Sequence, residues 1–391
     1  MRCIVRLQGD DHMYQAYKFR MYPTENQKIL IAKTFGSSRF IYNYFLEECK
    51  NYGYKKAYDM CAQLKELQKS YEWLKEVDSC SLRCAIFNLE DAFKNFFEKR
   101  SDYPVFKSKY QRQSYRTNCI KSSYKGKNYS NIWLDLNDKK VRLPKLGEID
   151  IRGYRNLEVI DGKIINATVT KESNGKYYVS IILEKQEIKK DKVKAKKIIG
   201  IDLGVKDLVI TSDGEKYDNK KILLKQEKRL KQLQRKLSRQ ERKSKNYQKT
   251  RLKIGKRYHK IKNSRRCYIN DITNKIVKEN DIIVTEKLDV KTMSKNHRIA
   301  KYILDASFHR ICELLKWKSM LQGKYYYQID TYYPSSKTCS VCGEKTELTN
   351  QLNIRNWQCK KCGTEHDRDM NASINILLEG LKLHYGCRNI R

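Results

Sequence analysis

The chain has 391 residues, 40% of them hydrophobic, and its 83 Lys and Arg against 45 Asp and Glu give a formal net charge of +38. The apolar content is sufficient for folded cores, which excludes a disordered basic tail, and the length predicts two or three domains. So large a positive charge excludes an ordinary enzyme of small substrates and favours a nucleic-acid partner, because Lys and Arg release condensed counterions from phosphates.

The first part of the chain predicts a β-barrel with helices inserted into it. Residues 14–22 alternate apolar and polar side chains like a strand, and Thr24 with Gln27 forms a capping pattern that opens a helix. Apolar residues then recur every three or four positions to about residue 100, which indicates packed amphipathic helices. Short strands with turns follow from 103 to 184. We expect a barrel of residues 1–35 and 101–190, and a helical domain of residues 36–100.

A charged linker, Lys185 to Lys197, marks a domain boundary before the apolar strand that begins at Ile198. Between residues 220 and 266 the chain is densely basic, and its apolar residues keep helical spacing in two successive segments. This pattern predicts an antiparallel basic helical hairpin that contacts phosphates. A solvated charged surface is the alternative interpretation.

Three acidic residues stand at the ends of apolar segments. Asp202 shares its face of a strand with Gly200 and Gly204, so its carboxylate has cleared space into which a phosphate backbone could approach. Glu286 ends the apolar strand 281–286. Asp369 lies on a predicted helix beside small residues that would let this helix pack close to a sheet. Asp367 is the better N-cap of that helix, although the two aspartates could exchange roles.

These carboxylates predict a metal-dependent nuclease. A charge in an apolar strand costs about several kcal/mol unless it is paired or binds a metal. Asp202, Glu286 and Asp369 offer the oxygen ligands that Mg²⁺ prefers, and two ions about 4 Å apart would stabilise both the attacking water and the leaving oxygen. Taken singly each acid is a weak signal, since an acidic residue at a strand end is often only a cap.

Four cysteines carry the most specific motif of the chain. They form two Cys-x2-Cys pairs, each followed by a glycine, separated by the roughly 15–20 residues typical of zinc sites. Four thiolates close the coordination sphere, so we expect one structural Zn²⁺ in an insert of residues 336–365 and disfavour a catalytic zinc. A redox pair or an iron centre is the alternative, but a thioredoxin-like context is missing. The expected zinc ligands are Cys339, Cys342, Cys359 and Cys362.

The remaining cysteines and the N-terminal stretch indicate the cellular location of the protein. The chain has 13 cysteines, an odd number that argues against a disulfide framework, and those outside the quartet are expected to be small core residues. No apolar run of about 18 residues exists, and the N-terminal stretch lacks the apolar core of a signal peptide. We therefore expect a cytoplasmic protein.

The order of the sequence motifs resembles the TnpB family of insertion-sequence proteins, over about residues 14 to 380. The motifs are Tyr22-Pro-Thr, Phe35-Gly-Ser-Ser-Arg-Phe-Ile-Tyr-Asn43, Tyr103-Pro-Val-Phe-Lys-Ser-Lys109, Ser114-Tyr-Arg-Thr117, Gly200-Ile-Asp-Leu-Gly-Val205, Asn296-His-Arg-Ile-Ala300, Asp305-Ala-Ser-Phe308, Pro334-Ser-Ser-Lys-Thr-Cys-Ser-Val-Cys-Gly343 and Asp367-Arg-Asp-Met-Asn-Ala372. Ser373 stands where the family often has Ala.

This resemblance implies an α+β multidomain fold. An oligonucleotide-binding (OB-like) wedge β-barrel would carry the helical recognition domain. A RuvC/RNase H-like α/β nuclease domain, residues 191–335 and 366–391, would contain the basic hairpin and the zinc-ribbon insert. The RuvC acids of the family fall on Asp202, Glu286 and Asp369.

The resemblance further implies an RNA-guided DNA endonuclease with two catalytic Mg²⁺ ions. Its partners would be a guide RNA from the transposon end (omega RNA) and a double-stranded DNA target beside a short adjacent motif, with the protein a monomer or dimer on the RNA. Such a protein would be nucleoid-associated in a prokaryote. A miniature type V CRISPR effector and a non-cleaving zinc-ribbon or RNA-guided regulator are the alternatives. Nucleic-acid contacts are expected from Arg39, Tyr42, Arg83, Lys107, Arg116, Thr117, Asn118, Lys337 and Arg368.

Overall fold

The computed structural model describes residues 2–3, 12–124, 127–153, 162–186, 194–242, 244–346 and 354–386. The chain divides into two compact units, Met1–Glu187 with Arg251–Lys256 and Ile188–Thr250 with Arg257–Arg391. Residues 187–193 of the predicted linker lie outside the described residues. None of the helices in the described ranges is long and apolar enough to cross a membrane.

The first unit contains an antiparallel sheet of eight strands in the order β3-β9-β10-β2-β8-β7-β6, with β1 paired to β2, and a separate β4–β5 hairpin. The strand β2 pairs with β10 on one side and β8 on the other, so the first predicted strand rejoins the later ones as expected. The strands are β1 (Arg2–Cys3), β2 (His12–Tyr22), β3 (Gln113–Asn118), β4 (Lys121–Tyr124), β5 (Lys127–Ser130), β6 (Trp133–Asp135), β7 (Lys140–Leu143), β8 (Gly147–Arg152), β9 (Lys163–Lys171) and β10 (Tyr177–Gln186).

The two ends of this strand order come together around one core. Inward side chains from β2, β3 and β7 to β10 form a single buried apolar cluster. Asn131, just before β6, accepts the backbone N–H of Ile120 at 2.7 Å and donates to the carbonyl of Asn118 at 3.2 Å. This side chain therefore joins the end of β3 to the start of β6, so the sheet curves around its apolar side chains.

Two helices, α1 (Glu25–Tyr52) and α3 (Ser79–Phe97), contact this sheet, while α2 (Ala57–Ser70) packs on α3 and on a 3-10 helix at Glu72–Lys75. The predicted capping box of α1 is confirmed, because Thr24 and Gln27 each accept the other's backbone N–H. Ile31 and Phe35 pack in the sheet core, whereas Phe45 packs in the core of the helices. The predicted boundary at residue 35 therefore falls inside one continuous helix.

The second unit has a mixed five-stranded sheet in the order β13-β12-β11-β14-β15. Strands β11, β14 and β15 are parallel, while β12 and β13 form an antiparallel extension on β11. The strands are β11 (Ile198–Asp202), β12 (Asp207–Thr211), β13 (Lys216–Asp218), β14 (Ile282–Glu286), β15 (Tyr325–Ile329) and the small pair β16 (Asn356–Gln358) and β17 (Glu365–Asp367).

The helices of this part of the chain include the predicted basic hairpin, which consists of α4 and α5. Gln234 of α4 donates to Tyr258 of α5 at 3.2 Å, and α5 continues beyond the predicted end at residue 266 to Glu279. The helices are α4 (Ile222–Ser238), α5 (Lys245–Glu279), α6 (Val290–Met293), α7 (His297–Ala306), α8 (Phe308–Leu321) and α9 (Arg368–Tyr385), with a 3-10 helix at Ser335–Lys337.

Two glycines let α9 lie directly on the sheet. A Cβ atom at Gly200 would stand 2.1 Å from the carbonyl oxygen of Ser373, and one at Gly380 would stand 2.3 Å from a methyl group of Val284. The space beside Asp202 that the sequence suggested for a phosphate is therefore filled by α9 on the Gly200 side. The small residues of α9 predicted that this helix packs close to the sheet. This close packing explains why residue 200 is a glycine and why the space beside it is not open to a phosphate.

Candidate active site and nucleic-acid interface

Asp202 and Glu286 lie side by side at the carboxyl ends of two parallel strands. The register pairs Ile201 of β11 with Thr285 of β14, so the next residues along these strands are the two acids. Neighbouring strands of a sheet are about 4.8 Å apart. Asp369 lies in the first turn of α9, the helix that packs on these strands. The fold thus brings the three predicted acids to one edge of the sheet.

The pKa values of the two strand acids are raised. Burial, followed by the charge of Asp369, raises the pKa of Asp202 to about 6. Burial and the charge of Asp202 raise the pKa of Glu286 to about 7. Because each group is perturbed by a neighbouring carboxylate, the site concentrates negative charge away from water. A bound cation would favour the charged form of all three acids.

Asp367 and Asp369 have separate roles at the start of α9. Asp367 caps the helix by accepting the backbone N–H groups of Asp369 and Met370, each at 3.0 Å, and it pairs with Lys216 at 2.7 Å. Burial would raise the pKa of Asp367, but the Lys216 ammonium and the backbone donors outweigh it, so the pKa is lowered. Asp367 is therefore the N-cap, as predicted.

Asp369 is held by a residue that the sequence did not single out. One terminal nitrogen of Arg355 donates to both carboxylate oxygens of Asp369, at 2.8 and 2.9 Å. Arg355 belongs to the segment between the two cysteine pairs, and its carbonyl accepts the backbone N–H of Arg368 at 2.7 Å. A lone Arg in a basic chain gives no sequence signal for such a contact.

The four predicted cysteines converge on one point. Their sulfur atoms lie within 4.8 Å of one another. Both loops have the same geometry, since Gly343 and Gly363 each have φ 72° and each donates to the carbonyl of the first cysteine of its pair at 2.9 Å. A positive φ of this kind favours glycine, as the motif predicted. Four convergent thiols form a closed set of ligands of the kind that holds a metal structurally.

The other cysteines behave mostly as core residues. Cys49, Cys84 and Cys312 are buried and Cys61 is partly buried, as the sequence suggested, whereas Cys267 is exposed. The cysteines in the described part of the chain from Cys49 to Cys362 form no disulfide bond.

A basic cleft of about 280 Å³ lies in the first unit, between α1, α3 and β3. Three of the expected nucleic-acid contacts, Arg39, Lys107 and Arg116, line it together with Arg112. The Lys107 ammonium stands 3.4 Å from the centre of the Tyr42 ring, and burial lowers its pKa to about 8. The cleft offers several cations and serine hydroxyl groups to an anion.

The remaining expected contacts divide by exposure. Arg83, Asn118 and Lys337 are exposed, whereas Arg368 is only 9% exposed. The charge of Arg368 lowers the pKa of Asp202, but burial and Asp369 outweigh this effect and the pKa of Asp202 is raised. Thr117 is fully buried and donates its hydroxyl to Asp78, the N-cap of α3, at 2.6 Å. Tyr42 is likewise enclosed, in the core of the helices. In this structure Thr117 and Tyr42 are thus packed inside the protein, and their contact with nucleic acid stays a prediction.

Comparison with known proteins gives the family. Residues 180–297 match the family OrfB_IS605, described as "Probable transposase", residues 308–376 match "Cas12f1-like, TNB domain" and residues 13–57 match the helix-turn-helix domain of OrfB_IS605. A Streptomyces pristinaespiralis protein named "Putative RNA-guided DNA endonuclease" is 34% identical over 376 residues, covering 94% of this chain and 89% of the relative. The chain belongs to the TnpB (OrfB) family.

Other relatives agree with this family. "Putative RNA-guided DNA endonuclease InsQ" of Escherichia coli K12 is 31% identical over 94% of this chain and 92% of its own length. The structure titled "Cryo-EM structure of the Cas12f1-sgRNA-target DNA complex" matches with a TM-score of 0.56 at 14% identity, covering 94% of this chain and 99% of the other. At this identity the match shows a shared TnpB/Cas12-like α/β fold.

Sequence reasoning missed several polar residues around the acids of this TnpB-family chain. Asn371 and Asn375 are 1% and 2% exposed, and both bond the backbone near the first cysteine pair. The sequence does contain a sign of these two residues, because two asparagines four residues apart interrupt the apolar stripe of α9. His366 and Lys216 gave no comparable pattern.

Proposed function

We propose that this protein is an RNA-guided DNA endonuclease of a transposon, which hydrolyses DNA strands beside a short adjacent motif. The observation that carries the proposal is the pairing of Asp202 and Glu286 on adjacent parallel strands under α9, with both pKa values raised. Membership of the TnpB family supports the RNA-guided activity, and the net charge of +38 supports binding to nucleic acid.

The site suits divalent cations. Asp202, Glu286 and Asp369 would hold two Mg²⁺ ions, since carboxylate oxygens are their preferred ligands and buried like charges favour a cation. When bound there, Mg²⁺ supplies charge stabilisation at the phosphate and lowers the pKa of a water nucleophile. The protein groups arrange this site: Asp367 fixes the start of α9, and Gly200 sets the distance of α9 from β11.

Arg355 and Asp369 form an ion pair that must rearrange for Asp369 to face a cation fully. The Arg355 side chain is 44% exposed, so it is free to turn toward a phosphate without breaking a buried core. We expect the incoming DNA strand to compete for this guanidinium, because Arg binds phosphate and carboxylate with the same donors.

The four cysteines would hold one structural Zn²⁺, which leaves no coordination position open for catalysis. We propose the domain limits predicted from the sequence: an OB-like wedge barrel of residues 1–35 and 101–190, a helical recognition domain of 36–100, a RuvC-like nuclease domain of 191–335 and 366–391, and a zinc ribbon of 336–365. Residues 347–353 of the ribbon lie outside the described residues.

Guide RNA and the target duplex are the proposed partners, with a cytoplasmic, nucleoid-associated location. The cleft lined by Arg39, Lys107 and Arg116 is the proposed surface for backbone phosphates, and exposed Arg83 of α3 and Asn118 of β3 are further proposed contacts. The interior of this cleft is too small for a duplex, so it would hold a single phosphate or an extruded nucleotide.

The test is cleavage of a plasmid library that carries one target flanked by randomised bases, with and without the RNA that copurifies with the protein. Alanine at Asp202, Glu286 or Asp369 should reduce cutting by about 10³-fold or more while RNA and target binding persist. The matched Asp367→Ala variant should lose stability at α9 but retain more cutting than Asp369→Ala. Site-specific cutting by RNA-free protein would contradict the proposal.

Two outcomes would select the alternatives. Guide-dependent binding without metal-dependent cutting by the wild type would identify a non-cleaving regulator. Sequencing a repeat-derived guide in the copurified RNA would identify a CRISPR effector.

A further inference from the structure

The cysteine cluster and the first turn of α9 are joined by buried polar side chains. Asn371 lies two residues after Asp369 on α9, and its amide binds both sides of Cys339. Its oxygen accepts the backbone N–H of Ser340 at 2.9 Å, and its nitrogen donates to the carbonyl of Thr338 at 2.8 Å. The backbone around the first cysteine is thus fixed to the same helical turn as a proposed catalytic acid.

A second amide repeats this contact one helical turn later. The side-chain nitrogen of Asn375 donates to the carbonyls of Ser335 and Thr338, at 2.8 and 2.6 Å. Residues four apart on a helix share a face, so Asn371 and Asn375 present one polar strip to the first cysteine loop. Buried amides are costly unless they are bonded, and these contacts give each amide a partner on the first cysteine loop. The loop and the helix are therefore bonded to each other at two successive turns of α9.

The sulfur of Cys339 is also contacted directly. His366 of β17 places Nε2 3.1 Å from the Cys339 sulfur, and its ring packs against Trp357 of β16 with the ring centres 4.7 Å apart. A histidine N–H donated to a metal-bound thiolate orients the ligand and tunes its charge. His366 directly precedes Asp367, the cap of α9.

Arg355 adds a contact from the opposite side. It lies between the two cysteine pairs and binds Asp369, as described above. Asp369 is therefore linked to the cysteine-bearing segment by this ion pair, which must open when Asp369 faces a cation. It is linked to the segment also through its helix, whose contacts with the first cysteine loop do not involve Arg355.

We propose that the cysteine cluster is part of the apparatus that positions Asp369, with Asn371 and His366 as the positioning residues that transmit metal binding to the nuclease site. This inference rests on the proposed function, because it assigns a role toward the carboxylate metals. It is more than a stabilising role for zinc: loading of the cysteine site sets the affinity of the carboxylate site for divalent cations.

The experiment uses the full chain without nucleic acid and has two readouts. The first is the rate at which Zn²⁺ passes from the protein to a colorimetric chelator, and the second is Mn²⁺ affinity at the carboxylates by electron paramagnetic resonance. Asn371→Ala should release Zn²⁺ about 10-fold faster or more and should weaken Mn²⁺ binding by a similar factor. Asn280→Ala is the matched control, since Asn280 is also buried, at 7% exposure, but caps α5 through Ile276.

A second pair of variants keeps the test decisive if Asn371→Ala does not fold. His366→Phe retains the ring against Trp357 but removes the donor, so both readouts should shift. His366→Gln restores a donor and should return both toward the wild type. The proposal is overturned if Zn²⁺ release changes while Mn²⁺ binding stays at the wild-type value, or if neither changes.

Neither readout requires cleavage, which separates this inference from the proposed function. Wild-type protein that binds Mn²⁺ at the carboxylates but does not cut guided DNA would reject the proposed function and leave the coupling to be judged on its own readouts. Wild-type protein that cuts, with variants unchanged in both readouts, would reject the coupling alone.

Discussion

Replacing Gly200 with alanine is the sharpest perturbation of the packing that places Asp369. The added Cβ would lie 2.1 Å from the Ser373 carbonyl oxygen and 2.7 Å from the backbone nitrogen of Leu377. Both atoms belong to the backbone of α9, so no side-chain rotation can relieve the contact. Normal carbon–oxygen contact needs about 3.3 Å, and α9 must therefore withdraw from β11 by roughly 1 Å.

The expected cost follows from this displacement. Overpacking of a core costs about 1–3 kcal/mol, which corresponds to a fall in Tm of about 2–4 °C per kcal/mol for a unit of this size. A misplacement of about 1 Å in a catalytic site can reduce the rate about 100-fold. We expect Gly200→Ala to lose stability and to cut guided DNA about 100-fold more slowly, with guide and target binding retained.

Gly36→Ala is the matched control. Gly36 lies inside α1 and a Cβ there would meet nothing within 4 Å, so this change should be neutral or raise stability by about 0.5–1 kcal/mol through helix propensity. Tm by differential scanning calorimetry and single-turnover cleavage provide the measurements. Wild-type Tm and cleavage in Gly200→Ala would refute the reasoning that this glycine exists for the approach of α9.

Further predictions concern pH, zinc and the basic cleft. Because Asp202 and Glu286 have raised pKa values of about 6 and 7, the metal-free protein should lose stability as pH rises from about 4 through 7. Added Mg²⁺ should stabilise the protein more at pH 8 than at pH 5. Asp202→Asn should flatten the dependence of Tm on pH, and an unchanged dependence would contradict the raised pKa of Asp202. Metal analysis should give about one Zn per chain, and Cys359→Ser should lose it and destabilise the insert, whereas iron in place of zinc would contradict the assignment. Lys107→Gln should weaken RNA or DNA binding at all sequences and should lower the slope of log Kd against log salt concentration by about 1. Lys337→Gln should have the same effect only if Lys337 also contacts a phosphate.

Local motifs were predictable because their geometry depends on neighbours in the chain. The Cys-x2-Cys-Gly loops need only a few consecutive residues and a positive φ, so the pattern predicted both loops and their convergence. The caps at Thr24 and Asp367 followed for the same reason. Asp202 and Glu286 could be placed at strand ends because apolar runs mark the strands, although their parallel register could not be read from the sequence.

The sequence by itself determined the cysteine quartet, the positions of the three acids and the caps at Thr24 and Asp367. Only the tertiary structure decided what surrounds them. It filled the space beside Gly200 with α9, enclosed Thr117 beneath the cap of α3, and brought Arg355 onto Asp369. Each of these contacts joins residues that are distant in the chain or separated by irregular segments. Their geometry depends on how whole elements pack, which short-range periodicity does not encode.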